Sequence, residues 1–310
     1  MELISITGSF KNEEENLNSF YLKVKTLFEN QLKDYKYEII LIDNASTDNS
    51  VEIVKKICQF DKNVHLIENI KDYGQDKSPY FAIISSSGDY VIPMVTDLQD
   101  PFETVVELVE KIKKNKVDIV FAIPKKIKKG SKIAKSLYYK LMQLATNGNH
   151  IENFHGFGIY SKKVIDALRA QNDKNPYLRV ALSEMNFSSL RIFYNPNDRV
   201  KGKSKNNFFS LFDIGIMGFV ATSNFFLKLI VLSGILGSLI SFLIGSYYLF
   251  LKLSNWDEIQ LGIAPMIVGF FFFSSVQLFV IGLVCSHLSN KIEKISTKPI
   301  VVTKNQTNVK

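Results

Sequence analysis

Two long uncharged runs constrain what this chain can fold into. Leu229 to Leu251 and Leu261 to Ser286 contain no Asp, Glu, Lys or Arg. A bilayer helix needs about 20 predominantly apolar residues, and a helix that is apolar all round is a buried or membrane-spanning one. Both runs are therefore expected to span a membrane. The loop Asn255–Glu258 between them has no Lys or Arg, whereas Lys291, Lys294 and Lys298 follow the second run. Basic residues mark the cytoplasmic side. Both termini are therefore expected there, in a multi-pass protein of the inner (cytoplasmic) membrane, with Lys252 the one mild exception. No arginine-led apolar signal precedes Leu3, which agrees. Ser233, Gly237, Ser241 and Gly245 recur every fourth residue in the first run. Such a small-residue face suits close packing against the second span or a second copy of the chain.

Ahead of the spans, short apolar runs alternate with helical patterns. Strands are expected at Leu3–Phe10, Glu38–Ile42, Val64–Ile67, residues 88–95, Val117–Ala122 and Ser189–Tyr194. Between them, Asn12–Asn16 caps a helix with Leu17, Phe20, Leu22, Val24 and Leu27 on its apolar face, its acids in the first turn suiting the dipole. Further helices follow from Ser50 to about Phe60, after Gln75 through Ser87, from Pro101 to about Asn115, and over 164–170 and 177–185. That alternation predicts an α/β domain with a mainly parallel sheet. Two cysteines, Cys58 and Cys285, without paired spacing exclude a disulfide framework or thiolate metal site and fit a reducing compartment. A net charge of +8 points to anionic partners, and beside two spans lipid is preferred to nucleic acid.

Chemistry concentrates where Tyr90–Met94 runs into Asp97, Gln99 and Asp100, with Pro101 starting a helix. This puts hard oxygen donors at the carboxyl end of a buried strand, where open α/β sheets hold ligands. An acidic N-cap in a surface turn would look the same. Asp43 ends the second strand and suits a base or ribose, while Ser46 and Asp48 suit a cap for the next helix. His155 has no His or Cys at ligand spacing and reads as a loop residue.

Asn12-Glu13-Glu14, Asp43-x-x-Ser46-x-Asp48, Gly88-Asp89 and Asp97-x-x-Asp100-Pro101 stand in an order and spacing that resemble family 2 glycosyltransferases. Gly156–Lys162 and Arg199-x-x-Gly202-x-Ser204-Lys205 resemble later elements of the branch with dolichol-phosphate mannose synthase and bacterial polyprenyl-phosphate sugar transferases. The resemblance implies a GT-A, Rossmann-like α/β nucleotide-sugar domain followed by interfacial helices and two transmembrane helices. Its boundaries fall at 1–205 for the cytoplasmic catalytic domain, 206–228 for an interfacial segment, 229–288 for the spans and 289–310 for a tail expected to be disordered from Thr303. It implies an inverting transfer of a sugar from a nucleotide diphosphate to polyprenyl phosphate for cell-surface glycan synthesis. Asn12, Glu13, Asp43, Lys125 and Ser204 would lie around the donor. Asp97 and Gln99 would hold Mg2+ or Mn2+, with Asp100 orienting its neighbours, and Arg199, Ser204 and Lys205 would face a phosphate. An attacking phosphate oxygen is already ionised at neutral pH, so no strong general base is required.

The chain departs from that pattern at four places. Val95 stands where many relatives have a further aspartate, and Pro124, followed by Lys125 and Lys126, where many have arginine. Asn44 replaces a second aspartate, and Asp72 stands where asparagine is usual. These departures leave two other readings open: extension of a lipid-linked oligosaccharide, and a noncatalytic membrane protein built on a decayed domain. Lys125, Lys126, Lys128, Lys129, Lys132, Lys135 and Lys140 occur without an acid among them, and Ile133, Leu137, Tyr138 and Leu141 share one helical face. A basic amphipathic helix on an anionic membrane is expected there.

Overall fold

The computed structural model describes residues 1–125, 151, 154–174, 176–197, 236, 250, 254, 263–294 and 299–309. The chain divides into one unit of Met1–Ser210 with Glu293–Lys310 and a second of Leu211–Ile292.

In the first unit, β1 (Leu3–Phe10), α1 (Leu17–Asn30), β2 (Lys36–Asp43), α2 (Ser50–Phe60), β3 (Val64–Asn69), α3 (Gly74–Ile84), β4 (Tyr90–Pro93), α4 (Phe102–Asn115) and β5 (Ile119–Pro124) alternate as expected. They are followed by β6 (Gly158–Ser161), α5 (Lys162–Gln171), α6 (Leu178–Glu184) and β7 (Ser189–Tyr194). The sheet has eight strands in the order β7-β5-β6-β4-β1-β2-β3-β8, where β8 is Thr303–Thr307. β1 pairs in parallel with β2 and β4, β2 with β3, and β5 with β7.

Strands in the middle of such a sheet are covered on both faces, so they are apolar without alternation. In β2, Ile39 and Leu41 enter the core with α1, α2 and α4, while Ile40 and Ile42 meet Ala82 of α3 on the other face. Helices α3, α5 and α6 form a further core through Tyr80, Ile83, Val164, Leu168 and Leu182. The result is three layers, α/β/α. Backbones approach closely at the foot of the sheet, where a Cβ on Gly88 would lie 2.5 Å from Ser5 Oγ and 2.9 Å from the Leu3 carbonyl oxygen. Glu38, buried beside it, accepts hydrogen bonds from Ser5 Oγ and from Ser87 N and Oγ.

Four features differ from expectation. The sheet is mixed, because β6 is antiparallel to both β4 and β5. Its four residues are too few for a periodic signal, and Gly158 is there because a Cβ would meet the Val120 carbonyl oxygen at 2.6 Å. The polar end from Thr303, expected to be disordered, forms β8 antiparallel to β3, with Ile67 opposite Gln306. Backbone pairing on a sheet edge does not require apolar side chains. In α1, Leu22 is 58% exposed while Phe28 is buried, because positions 17, 20, 24, 27 and 28 make the continuous stripe. The acids at Glu13 and Glu14 precede that helix, whose first turn contains none.

Nearly all of the first uncharged run, the segment 206–228 and nearly all of the lysine-rich stretch lie outside the described residues. Helix α7 (Ile263–Lys294) coincides with the second run, and many of its side chains are outside the description. Counting only the described residues, no helix is long and apolar enough to cross a membrane. Both spans therefore stand as a proposal.

Candidate active site

Chain order reverses beside β1: β2 and β3 lie to one side and β4 to the other. A crevice at the carboxyl ends of the strands opens at such a reversal. Four loops converge there, each bringing polar residues predicted from the sequence.

The loop after β1 is tied to the loop after β2. Asn12, in a left-handed conformation with φ 57°, donates from its backbone to Ser46 Oγ at 3.0 Å. Its side-chain oxygen accepts from Thr47 N at 2.8 Å. Glu13 N donates to Ser50 Oγ at 2.9 Å, and the Glu13 carboxylate accepts from Asn16 Nδ2 at 2.7 Å. Asn12 and the Glu13 N–H thus fasten the two loops together, while the Glu13 carboxylate stays within its own loop. Asp48, one residue before the Asn49 N-cap of α2, accepts from Ser50 N at 3.0 Å. Burial pushes Asp48 up, but hydrogen bonds from Ser50 and Glu14 outweigh it and leave its pKa lowered. Asp43 is 4% exposed at the end of β2, and its Oδ1 accepts from Ser46 N at 2.9 Å.

The two exchanged residues meet. Asn44 Nδ2 donates to Asp72 Oδ1 at 2.5 Å, and Asn44 Oδ1 accepts from Tyr73 N and Ser78 Oγ, both at 2.8 Å. Asp72 also pairs with Lys11 Nζ at 2.6 Å and accepts from Gly74 N at 2.8 Å. Burial pushes the Asp72 carboxyl up, but the Lys11 ammonium, Gly74 N–H and Asn44 amide outweigh it and hold it below the usual range. One amide and one carboxylate remain across this contact, so the double departure preserves its hydrogen bond.

The fourth loop follows β4. Met94 N still donates to the Thr7 carbonyl, extending the pairing, and then the chain turns through Leu98 at φ 64°. A bulky residue in the left-handed region is strained, and such strain gathers at functional loops. Here it is held from outside: Asn197 donates through its backbone to the Gln99 carbonyl at 3.0 Å and through Nδ2 to the Leu98 carbonyl at 3.3 Å. Asp97 is 7% exposed and accepts from Gln99 N at 3.3 Å. Asp100 Oδ2 accepts from Val95 N at 3.0 Å and its Oδ1 from Tyr194 Oη at 3.1 Å. Burial pushes the Asp100 carboxyl up to about 6 against those two bonds, with the Asp97 charge adding to the rise. Burial and the facing Asp100 raise Tyr194 in turn.

Pro124 is buried and in register with Tyr194. Lys125 is exposed, and its N–H donates to the Tyr194 carbonyl at 2.8 Å. His155 is exposed. Arg199, Ser204 and Lys205 lie outside the described residues. Sequence reasoning missed Asn197 and Tyr194, which buttress the Asp97 loop from 94 or more residues away. The tyrosine ending a strand and the asparagine in a turn were the only signals. Among the described residues, no three His, Cys, Asp or Glu side chains gather as a metal cage.

The sequence model of a family described as "Glycosyl transferase family 2" matches residues 5–169, more than half of the chain. The chain belongs to glycosyltransferase family 2. It is accordingly a glycosyltransferase, and the matched family segment runs from within β1 through β6 and includes all four loops just described. Among similar family members is the bactoprenol glucosyl transferase of Shigella phage SfV, 26% identical over 306 residues, 98% of each chain. Another is an uncharacterized glycosyltransferase, YkcC, of Bacillus subtilis, 26% identical over 302 residues, covering 96% of this chain and 92% of that one. In solved structures the fold is like that of mannosyl-3-phosphoglycerate synthase from Rubrobacter xylanophilus. That likeness has a TM-score of 0.50 at 12% identity, over 71% of this chain and 72% of that one. The α/β, GT-A-like architecture is thus reached from the sheet order, the family and a structural neighbour alike.

Proposed function

We propose that this family 2 glycosyltransferase moves a sugar, with inversion, from a nucleotide diphosphate to polyprenyl phosphate at the cytoplasmic face of a membrane. The observation that carries this reading is the end-to-end similarity to a bactoprenol glucosyl transferase, over 98% of both chains. Likeness confined to the donor domain would speak for the donor alone. Continued through the apolar runs, it speaks for the lipid acceptor as well.

Asp97 and Gln99 suit Mg2+ or Mn2+: both offer hard oxygens, and so few protein ligands fit a cation that keeps positions for phosphate oxygens. When bound, the ion would offset the negative charge that develops on the departing diphosphate. Asp97 would hold the ion together with Gln99, and Asp100 keeps the loop in shape through Val95 N and Tyr194 Oη. Asp43, buried at the end of β2, is the proposed contact to the donor base or ribose. Arg199, Ser204 and Lys205 are the proposed contacts to phosphate. The acceptor oxygen is ionised at neutral pH, so the site needs to place it more than to deprotonate it.

For the membrane, the support is the sequence: the uncharged run Leu261 to Ser286 exceeds the about 20 apolar residues that a bilayer helix needs. Met266, Val276 and Ile281 within it are 77%, 44% and 49% exposed, and large apolar side chains at a surface suit a nonaqueous neighbour. The small-residue face of the first run is the proposed contact for pairing between copies.

Titration of the detergent-purified chain with a panel of UDP-, GDP- and dTDP-sugars tests the donor half. Binding of one donor that needs Mg2+ or Mn2+, and that weakens in Asp97→Asn, is the expected result. No binding of any donor with either metal would overturn it.

A further inference from the structure

The last strand of the chain reaches back to the donor side of the crevice, and its contacts form a connected path. β8 lies antiparallel on β3, covering what would otherwise be a free sheet edge. Just before it, Ile300 and Val301 are buried, 8% and 4% exposed, in the core that includes Ile83, with Tyr73 packed against it. Val302 then holds the turn after β3 twice. Its carbonyl accepts from Ile70 N at 3.0 Å, and its N–H donates to Tyr73 Oη at 3.0 Å. At the far end, Asn308 Nδ2 donates to the Cys58 and Val64 carbonyls at 2.8 and 2.9 Å, and its own carbonyl meets His65 Nδ1 at 2.6 Å. Tyr73 passes the constraint on, since its N–H donates to Asn44 Oδ1 at 2.8 Å, and Asn44 adjoins Asp43.

We propose that the C-terminal segment Ile300–Asn308 is a positioning element for the donor site, holding the Ile70–Gly74 turn and, through Tyr73 and Asn44, the end of β2. The inference rests on the donor-site reading above for its functional consequence, and on the contacts alone for its mechanical part. The path is continuous at hydrogen-bond distance from Val302 to Asn44. Tyr73 is a positioning residue: its hydroxyl faces the tail and its backbone faces Asn44. The tail follows α7 in the chain, with Thr303 nine positions after Lys294.

Two measurements on the full-length protein test this, using Asn308→Ala to loosen the strand and Tyr73→Phe to cut the link. The first is hydrogen exchange without any ligand, which needs no activity. Both variants are expected to speed exchange at residues 70–74 and 43–47, and Asn308→Ala also at 303–309. Faster exchange confined to 303–309, with 70–74 and 43–47 as slow as in the wild type, would overturn the proposal. The second is steady-state kinetics with the UDP-, GDP- or dTDP-sugar that the wild type turns over. Loss of one hydrogen bond in the path is expected to raise the donor KM about fivefold, with kcat and acceptor KM within about twofold. A fall in kcat with unchanged donor KM would contradict it. If the wild type binds no nucleotide sugar, the donor-site reading fails while the exchange result still decides the mechanical coupling.

Discussion

Asp97 and Asp100 sit in one turn, yet their carboxyl groups have different surroundings. Asp100 is closed off by Val95 N and Tyr194 Oη, whereas Asp97 shares its loop with Gln99, and the strained Leu98 between them is pinned by Asn197. The exchanged pair Asn44 and Asp72 makes a sharper residue-scale test. Asn44→Asp alone would put a second carboxylate against Asp72 and remove the amide donor, and Asp72→Asn alone would remove the partner of Lys11. Each single variant is expected to lose about 1–2 kcal/mol, and the double exchange to recover at least half of the combined loss. Additive losses in urea unfolding would show that the two residues do not work as a pair. Asp43 and Asp97 could be placed at strand ends from the sequence, because an apolar run leads into each; Asn44 and Asp72 stand there only as two separate departures from the family pattern, and their contact came from the structure. Tyr194 and Asn197 were not legible in the sequence, since their meaning lies in contacts with a loop far away in the chain.

At the scale of elements, the strands were legible where both faces are buried. β2 has Ile39, Ile40, Leu41 and Ile42 in succession, all at most 2% exposed. β6 and β8 escaped because one is four residues long and the other is polar, and both are fixed by backbone pairing. The junction of β5 with β7 offers a test by pH. Ser188 Oγ donates to Asp118 Oδ2 at 2.6 Å, and Lys163 lies 3.6 Å away. The Ser188 hydrogen bond, ahead of burial, which opposes it, and the Lys163 charge, holds Asp118 below its ordinary value of 3.8. The folded carboxyl therefore takes up its proton at lower pH than the unfolded one. Its stabilisation is present above about pH 4 and is lost as pH falls through the folded value. Ser188→Ala is expected to melt below the wild type at pH 7, with the gap narrowing below pH 4. A gap that is constant down to pH 2 would assign the loss to packing instead.

Across the whole molecule, eight strands and their helices present four loops at one edge of the sheet, and the chain ends by pairing back onto that sheet. The apolar runs stand out in the sequence and lie largely outside the described residues. Carbonate washing of membranes from expressing cells is expected to leave the protein in the pellet, and its release to the supernatant would contradict the two spans. The central claim joins donor, metal and lipid in one reaction. Its most direct measurement is mass spectrometry of lipids after incubating the purified protein with the nucleotide-sugar panel, polyprenyl phosphate and Mg2+ or Mn2+. A polyprenyl-phosphate sugar that needs the metal and falls about 100-fold or more in Asp97→Asn is the predicted result. No such product with any donor, or a sugar added only to a lipid that already bears one, would contradict it.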